Sequence, residues 1–128
     1  MEKELVPYEL AAKLKAIGFN EPCMFVHDTW GNTKNWTEDG EGEHRNSHIN
    51  ASIYYSAPLF QQAFRWFREK YNLICRVDVT SYGCPLNEQE FYCEITSKNG
   101  TASYKIFNTY EEAELDCLSK LIELVKQK

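Results

Sequence analysis

The sequence predicts an α+β domain, with an antiparallel sheet of three to four strands and two or three helices packed on one face. Three observations support this fold class. Long segments repeat apolar residues at helical spacing, and shorter ones alternate apolar and polar residues as half-buried strands do. Asn99-Gly100 separates two of those strands as a hairpin turn would. The predicted order is helix, strand, loop, helix, three strands and helix.

The first half of the chain is predicted to contain one helix, one strand and a long loop. Residues 7–17 repeat apolar side chains at helical spacing, and Gly18 fits a helix stop with a left-handed glycine. Residues 23–27 form a short apolar run that predicts a strand. Residues 28–50 are rich in Gly, Asn and acidic side chains and predict an irregular loop, which at this length is usually functional or disordered. Residues 51–55 fit either a second strand or the lead into the next helix.

The second half is predicted to form a helix, three strands and a helix. Ser56 fits the N-cap of a helix over residues 59–71, whose apolar stripe consists of Phe60, Ala63, Phe64, Phe67 and Tyr71. Residues 73–80 alternate apolar and polar side chains and so predict a strand. Thr109 fits the capping position of the last helix, over residues 110–126.

Residues 90–107 are predicted to form a β-hairpin around Asn99-Gly100. This dipeptide is the strongest short signal for a two-residue type I′ turn, because that turn needs positive φ at both central positions. A two-residue turn fixes the register of the two strands. The predicted pairs are Lys98 with Thr101, Ile95 with Tyr104, Glu94 with Lys105 and Cys93 with Ile106.

Composition bounds the class of protein. The 128 residues have the size of a single domain over 1–128, and 14 Lys plus Arg against 19 Asp plus Glu give a net charge of -5. An acidic domain repels phosphate backbones, which argues against nucleic-acid binding. No stretch reaches the roughly 20 apolar residues of a membrane span, and the first residues lack the pattern of a secretory signal. We therefore expect a cytoplasmic protein with no membrane partner.

The five cysteines predict free thiols. None shows C-x-x-C spacing, and Cys75, Cys93 and Cys117 fall on positions expected to face the core, where cysteine acts as a small apolar residue. A reduced, cytosolic protein is the simplest interpretation. Cys84 lies on a predicted turn, with no signature of a catalytic nucleophile around it.

Two Cys/His pairs have spacings that a zinc site could use, namely Cys23-x3-His27 and His44-x3-His48. The second pair shares one face only in a helix, which its Arg-Asn-Ser interior does not favour. Short Cys/His spacings also arise by chance in any loop that contains histidine. We therefore predict no metal, no cofactor and no catalytic residue. Cys23, His27, His44 and His48 stay as the candidates for a metal-dependent hydrolase.

Trp30 and Trp36 are the predicted binding residues. Both lie in the polar loop over residues 28–50. Tryptophan is mostly buried on average, so one interpretation folds both rings back onto the core. If they are displayed, they belong to the residue type that dominates binding hot spots.

The order helix, three strands, helix over residues 59–126 is also that of a double-stranded-RNA-binding domain. Those domains neutralise phosphates with a basic start to the last helix. Here the first turns of that helix carry Glu111, Glu112, Glu114 and Asp116. The electrostatics therefore argue against RNA, and an RNA-binding module is kept only as an alternative.

Three segments together resemble a known group of proteins: residues 8–14 (YELAAKL) with 18–23 (GFNEPC), residues 57–69 (APLFQQAFRWFRE) and residues 109–113 (TYEEA). The combination is similar to small uncharacterised proteins encoded by phages, prophages and other mobile elements of gut Bacteroides-type bacteria. The resemblance implies a mobile-element setting. It implies no assigned activity, and so no catalytic residues.

These observations predict a mobile-element accessory protein that acts by binding a host protein or a small molecule, with counter-defence as one role, and not as an enzyme. A metal-dependent hydrolase, the RNA-binding module and a structural or assembly protein are the alternatives. The last would form homo-oligomers through the outer face of the sheet or through Phe64 and Trp66.

Overall fold

The computed structural model describes residues 4–36, 42–47, 54–79 and 90–126. The chain divides into two compact units, Met1–Gln62 and Ala63–Lys128, here called the first and second units. The described residues form three helices and two antiparallel sheets of three strands each, which confirms the α+β class. The single domain over residues 1–128 stays a prediction.

The first helix, α1 (Tyr8–Ala16), is confirmed together with its stop. Gly18 has a φ of 97°, and the Phe19 N–H donates to Leu14 O at 3.0 Å. The Gly18 N–H donates to Lys15 O at 3.1 Å, which completes a Schellman motif. This stop directs Phe19 into the core, where its side chain is 1% exposed.

The sheet of the first unit has the order β2-β1-β3, with β1 (Phe25–Asp28) between β2 (Thr33–Asn35) and β3 (Tyr54–Ser56). β1 confirms the predicted strand. β2 lies inside the predicted irregular loop, and β3 decides between the two interpretations of residues 51–55 in favour of a strand at their end. Strands of three residues are too short for an alternation to be recognised in the sequence.

The sheet of the second unit has the order β4-β5-β6, formed by β4 (Ile74–Val79), β5 (Phe91–Ser97) and β6 (Gly100–Phe107). The helix α2 (Phe60–Tyr71) precedes this sheet, and α3 (Tyr110–Lys126) contacts all three strands. The face of α3 that packs on the sheet is buried at Ala113, Cys117, Leu118, Leu121 and Ile122.

The predicted start of α3 is confirmed. The Glu112 N–H donates to Thr109 Oγ1 at 3.2 Å, and the Thr109 hydroxyl donates to Glu112 Oε1 at 2.9 Å. The predicted N-cap of α2 is wrong, because Ser56 ends β3 instead. None of the helices in the described parts of the chain combines the length and apolar character that a bilayer span requires.

The predicted register of the β5–β6 hairpin is wrong, because the turn is not type I′. Ser97 pairs with Gly100, so the loop residues are Lys98 and Asn99. Gly100 has a φ of 122°, whereas Asn99 has no positive φ. Instead, the Asn99 N–H donates to Ser97 Oγ at 3.2 Å. The strands are thereby offset by two residues from the prediction, and Ile95 faces Ala102.

A β-bulge further along the hairpin changes which residues of β6 face outward. Glu94 pairs with Ser103 but Tyr92 pairs with Ile106, so two residues of β6 lie opposite Cys93 alone. The predicted pair of Cys93 with Ile106 is therefore wrong. Ile106 lies opposite Tyr92 and is 52% exposed.

Cys93 and Cys117 form a disulfide that joins β5 to α3, with a Cα–Cα distance of 5.5 Å. The prediction of free thiols is thus wrong for these two residues and correct for Cys23 and Cys75. Both bonded residues do face the core, as predicted, with no exposed surface. They stand 24 residues apart in the sequence, so their pairing depends on the tertiary packing. Cys84 lies outside the described residues.

We expect reduction of the disulfide to destabilise the protein. Closing a loop of this length lowers the entropy of the unfolded chain, which corresponds to about 3 kcal/mol. Dithiothreitol should lower the free energy of unfolding of the wild type by that amount in guanidinium denaturation. Cys117→Ala should remove the response to dithiothreitol, and the matched variant Cys75→Ala should retain it. An unchanged wild-type midpoint in dithiothreitol would contradict the proposed stabilisation.

The turn geometry predicts that substitutions at Asn99 and Gly100 differ in their effect on stability. Because only Gly100 has positive φ, Gly100→Ala should destabilise the protein by about 1 to 2 kcal/mol. A Cβ at this position meets no atom within 4 Å, so the cost is conformational. Asn99→Ala should change the stability by less than about 0.5 kcal/mol. Urea denaturation of both variants measures this, and comparable losses for the two would instead indicate the type I′ turn.

Candidate functional site

The first candidate site is the turn between β1 and β2. Its sequence, Asp28-Thr29-Trp30-Gly31, has Asp at the first and Gly at the fourth position, which is typical of a type I turn. Asp28 Oδ1 accepts hydrogen bonds from the backbone N–H groups of Trp30 and Asn32, both at 2.9 Å. The Gly31 N–H donates to Asp28 O at 3.1 Å, and the Asp28 N–H donates to Asn32 O at 2.9 Å. Four hydrogen bonds therefore hold five residues in one conformation.

This turn displays Trp30 to solvent. The residue is 78% exposed, the highest value among the large apolar residues of the described chain. Such exposure is unusual, because tryptophan is highly buried on average. The backbone of Trp30 is fixed by Asp28, so little backbone entropy is lost when the ring contacts a partner.

Trp36, the other predicted binding residue, belongs to the core of the first unit and is 9% exposed. Its ring packs edge-on against His44, at a centroid distance of 4.9 Å, and against Tyr54, at 5.1 Å. Its backbone N–H donates to Met24 O at 2.8 Å. The two tryptophans thus occupy different environments, and only Trp30 presents its ring at the surface.

The second candidate site contains Cys23 and His44, which the backbone brings together. The N–H of each donates to the carbonyl oxygen of the other at 2.8 Å, in an isolated antiparallel bridge. His44 Nδ1 lies 2.7 Å from Ser56 Oγ. Asn46 completes the cluster, because its Oδ1 accepts from the Ser56 N–H at 2.9 Å and its Nδ2 donates to Phe19 O at 2.8 Å.

Burial makes the side chains of this cluster unreactive. His44 and Ser56 have no exposed surface, and Cys23 is 2% exposed. Burial raises the pKa of the Cys23 thiol to about 12, which outweighs the hydrogen bond from Ser56 that lowers it. The thiol is therefore protonated at neutral pH. Nucleophilic attack requires the thiolate, so Cys23 is unsuited to act as a nucleophile.

His27 lies apart from that cluster, and both of its ring nitrogens are engaged. Nε2 lies 2.8 Å from Val6 O, an acceptor, so this nitrogen carries a hydrogen. Nδ1 lies 2.9 Å from Thr33 Oγ1 and in the neutral ring accepts the hydroxyl hydrogen. His27 consequently pins the N-terminal segment and β2 to β1, and its neutral ring has no lone pair left for a metal.

The candidate ligands within the described part of the chain do not assemble a metal site. No group of three or more His, Cys, Asp or Glu residues there is arranged to hold a metal ion. His48 lies outside the described residues, so the pair His44 and His48 stays a prediction. Cys23 and His44 come together through their backbone bridge, and His27 occupies a separate hydrogen-bond network.

Two residues of the cluster were missed by the sequence analysis. Ser56 was predicted as a helix cap, and Asn46 attracted no prediction because buried polar residues have no pattern in a sequence. Asp28 was also missed as the residue that builds the turn. The Asp-x-x-Gly spacing from Asp28 to Gly31 would have identified it.

Removal of the Ser56 hydroxyl tests whether the buried cluster is structural. Ser56→Ala leaves His44 Nδ1 and the Cys23 thiol without this partner, and we expect a loss of about 1 to 3 kcal/mol in the free energy of unfolding. Ser47→Ala is the matched control, because Ser47 is exposed and donates its backbone N–H, which the substitution keeps, to Asn20 Oδ1. Urea denaturation compares the two. Equal stabilities would mean that the Ser56 contact contributes nothing.

Comparison of the chain with protein-family models, with curated proteins and with solved structures found no match to any of them.

Proposed function

We propose that this protein acts by binding, and that Trp30 is the anchor residue of the contact. The observation that carries the proposal is an indole side chain 78% exposed on a turn held by four hydrogen bonds. Tryptophan supplies a large apolar contact area and dominates hot spots in protein interfaces. A fixed turn adds to this by lowering the entropy lost on association.

A binding role also agrees with the chemistry of Cys23, His27 and His44, the candidate residues of a hydrolase. A catalytic site needs a reactive group that substrate can reach. Cys23 and His44 are buried, and the thiol of Cys23 is protonated at neutral pH. His27 uses both ring nitrogens for hydrogen bonds within the first unit. None of these observations favours the metal-dependent hydrolase.

The setting that we propose is the one implied by the resemblance of residues 8–14, 57–69 and 109–113. In this setting the protein is an accessory protein encoded by a phage or another mobile element. Its partner is a host protein or a small molecule. Binding of this partner would serve counter-defence. A second copy of the chain is the other partner to test, because a structural protein that forms homo-oligomers is one of the alternatives.

Replacement of Trp30 tests the proposal directly. The turn uses only the backbone of Trp30, so Trp30→Ala should change the free energy of unfolding by less than about 0.5 kcal/mol. Loss of a hot-spot side chain costs about 2 kcal/mol or more, so we expect the affinity for the partner to fall by about thirtyfold or more and partner recovery to fall with it. The measurement is quantitative mass spectrometry after affinity capture from a lysate of a Bacteroides-type gut bacterium. Light scattering of the same two proteins reports self-association.

Thr29→Ala is the matched control for this experiment, because Thr29 is the exposed neighbour of Trp30 in the same turn. Thr29→Ala should retain the partners of the wild type, and Trp30→Phe should retain part of the recovery. If Trp30→Ala captures the same partners in the same amounts and the same oligomeric state is observed, Trp30 is not the anchor.

A further inference from the structure

A groove of about 610 Å³ lies in the second unit, beside the end of α2, the β5–β6 turn and the last turns of α3. Its apolar lining includes Leu73 and Ile95, each 3% exposed, and the half-buried Leu124. Volumes of this size are typical of small-molecule sites, which combine an apolar lining with a few polar groups. The groove therefore has room for a ligand with an apolar body.

The charged residues that line the groove are both lysines. Lys70 and Lys98 contribute to the lining, and no Asp or Glu is among the described residues there. The chain as a whole carries a net charge of -5, so the groove reverses the overall sign. The C-terminal ends of α2 and α3 each contribute about half a negative charge, which is less than the two ammonium charges together. The local excess charge is positive.

Neither lysine is neutralised by a carboxylate in the described chain. Arg76 pairs with Asp78 and Glu94, and Lys120 pairs with Glu123. Lys70 Nζ instead lies over two aromatic rings, 5.2 Å from the centroid of Trp66 and 5.6 Å from that of Tyr71. These cation–π contacts position the ammonium group and leave its charge available to an anion.

The rim of the groove has a fixed backbone. Asn72 follows α2 with a φ of 55°, and the Leu73 N–H donates to Phe67 O at 3.3 Å. On the opposite side, the turn at Lys98 and Asn99 is fixed by the Ser97 hydroxyl and by the positive φ of Gly100. The amide side chains of Asn72 and Asn99 add neutral hydrogen-bonding groups to the lining.

We propose that this groove binds a small organic anion with an apolar body. The acidic group of the ligand lies near Lys70 and Lys98, and its body packs on Leu73, Ile95 and Leu124. Carboxylates, sulfonates and phosphate esters share this chemistry. The site belongs to the second unit and involves neither Trp30 nor the residues around it, so it is a further binding site beyond the function proposed above.

Two fluorescent dyes that differ by one sulfonate group test the proposal. Anilinonaphthalene sulfonate has the anionic group, and phenylnaphthylamine is the same apolar body without it. Fluorescence titration of each dye at low ionic strength gives its dissociation constant, because both become brighter in an apolar site. We expect saturable binding of the sulfonate by the folded wild type, and weaker binding as salt screens the lysines.

The double variant Lys70→Gln with Lys98→Gln should weaken the sulfonate by about threefold to twentyfold, the range for two exposed charge contacts. It should leave phenylnaphthylamine within about twofold, since no charge is involved. The matched control is Lys105→Gln with Lys126→Gln, which makes the same change in net charge at exposed positions of the same unit outside the groove lining. That control should bind both dyes as the wild type does.

Ala102→Leu tests the apolar part of the site separately. Ala102 lines the groove and is exposed, so a larger side chain there fills the groove without entering the core. It should weaken both dyes while the denaturation midpoint stays unchanged. The proposal is overturned if the sulfonate shows no saturable binding, if the control pair of lysines weakens it as much as Lys70 and Lys98 do, or if Ala102→Leu affects neither dye. Amide chemical shifts on dye binding should change at Ile95 and Leu124, and shifts confined to other residues would also overturn it.

Discussion

The packing of α3 across β4, β5 and β6 is the interaction on which the second unit depends. The Cys93–Cys117 disulfide lies within it, and Cys93 is on the central strand of the sheet. The β-bulge occurs at the same residue, so β6 changes its facing residues where β5 is bonded to the helix. Ile95 lies two residues after Cys93, on the same face of β5, and lines the groove. The bond therefore joins the same strand and the same helix that contribute Ile95 and Leu124 to the groove.

The first unit has no such bond among its described residues and is held by buried polar groups. Residues 42–47 contain little regular structure, and their backbone groups need partners once they leave water. The backbone N–H and carbonyl of His44 pair with those of Cys23. The side chain of His44 contacts the Ser56 hydroxyl, and the side chain of Asn46 satisfies the Ser56 N–H and the Phe19 carbonyl. Each pair joins segments that are distant in the sequence. Cys23, His27 and His44, three of the four residues that suggested a metal site, thus have a structural role that accounts for their burial.

The parts of the fold that were predictable follow from local chemistry. Helical spacing, the left-handed glycine at Gly18 and the cap at Thr109 each depend on a few neighbouring residues, and all three are confirmed. The hairpin register was mispredicted because Asn99-Gly100 fits two turn types, and the hydroxyl of Ser97 decides between them. The disulfide and the three-residue strands depend on contacts across the chain, which no local pattern records.

The same distinction applies to the candidate site. A sequence shows that Trp30 and Trp36 are tryptophans in a polar segment, but exposure is set by the tertiary packing. The ring of Trp36 packs against His44 and Tyr54. Trp30 is placed at a turn whose hydrogen bonds all run through Asp28 and backbone groups. The turn was recognisable in the sequence, and the different surroundings of the two rings were not.

The side chains of Trp30 and Lys98 are not used by the turns that carry them. The turn that carries Trp30 uses only the backbone N–H of this residue. The turn would therefore accept most residues in place of Trp30, because the exposed ring removes little apolar surface from water. The β5–β6 turn likewise uses Ser97 and Gly100 but not the side chain of Lys98. Stability explains the conformation at both positions and leaves the chemistry of both side chains unexplained. A large apolar ring and an unneutralised cation on fixed turns are instead suited to contacts with other molecules.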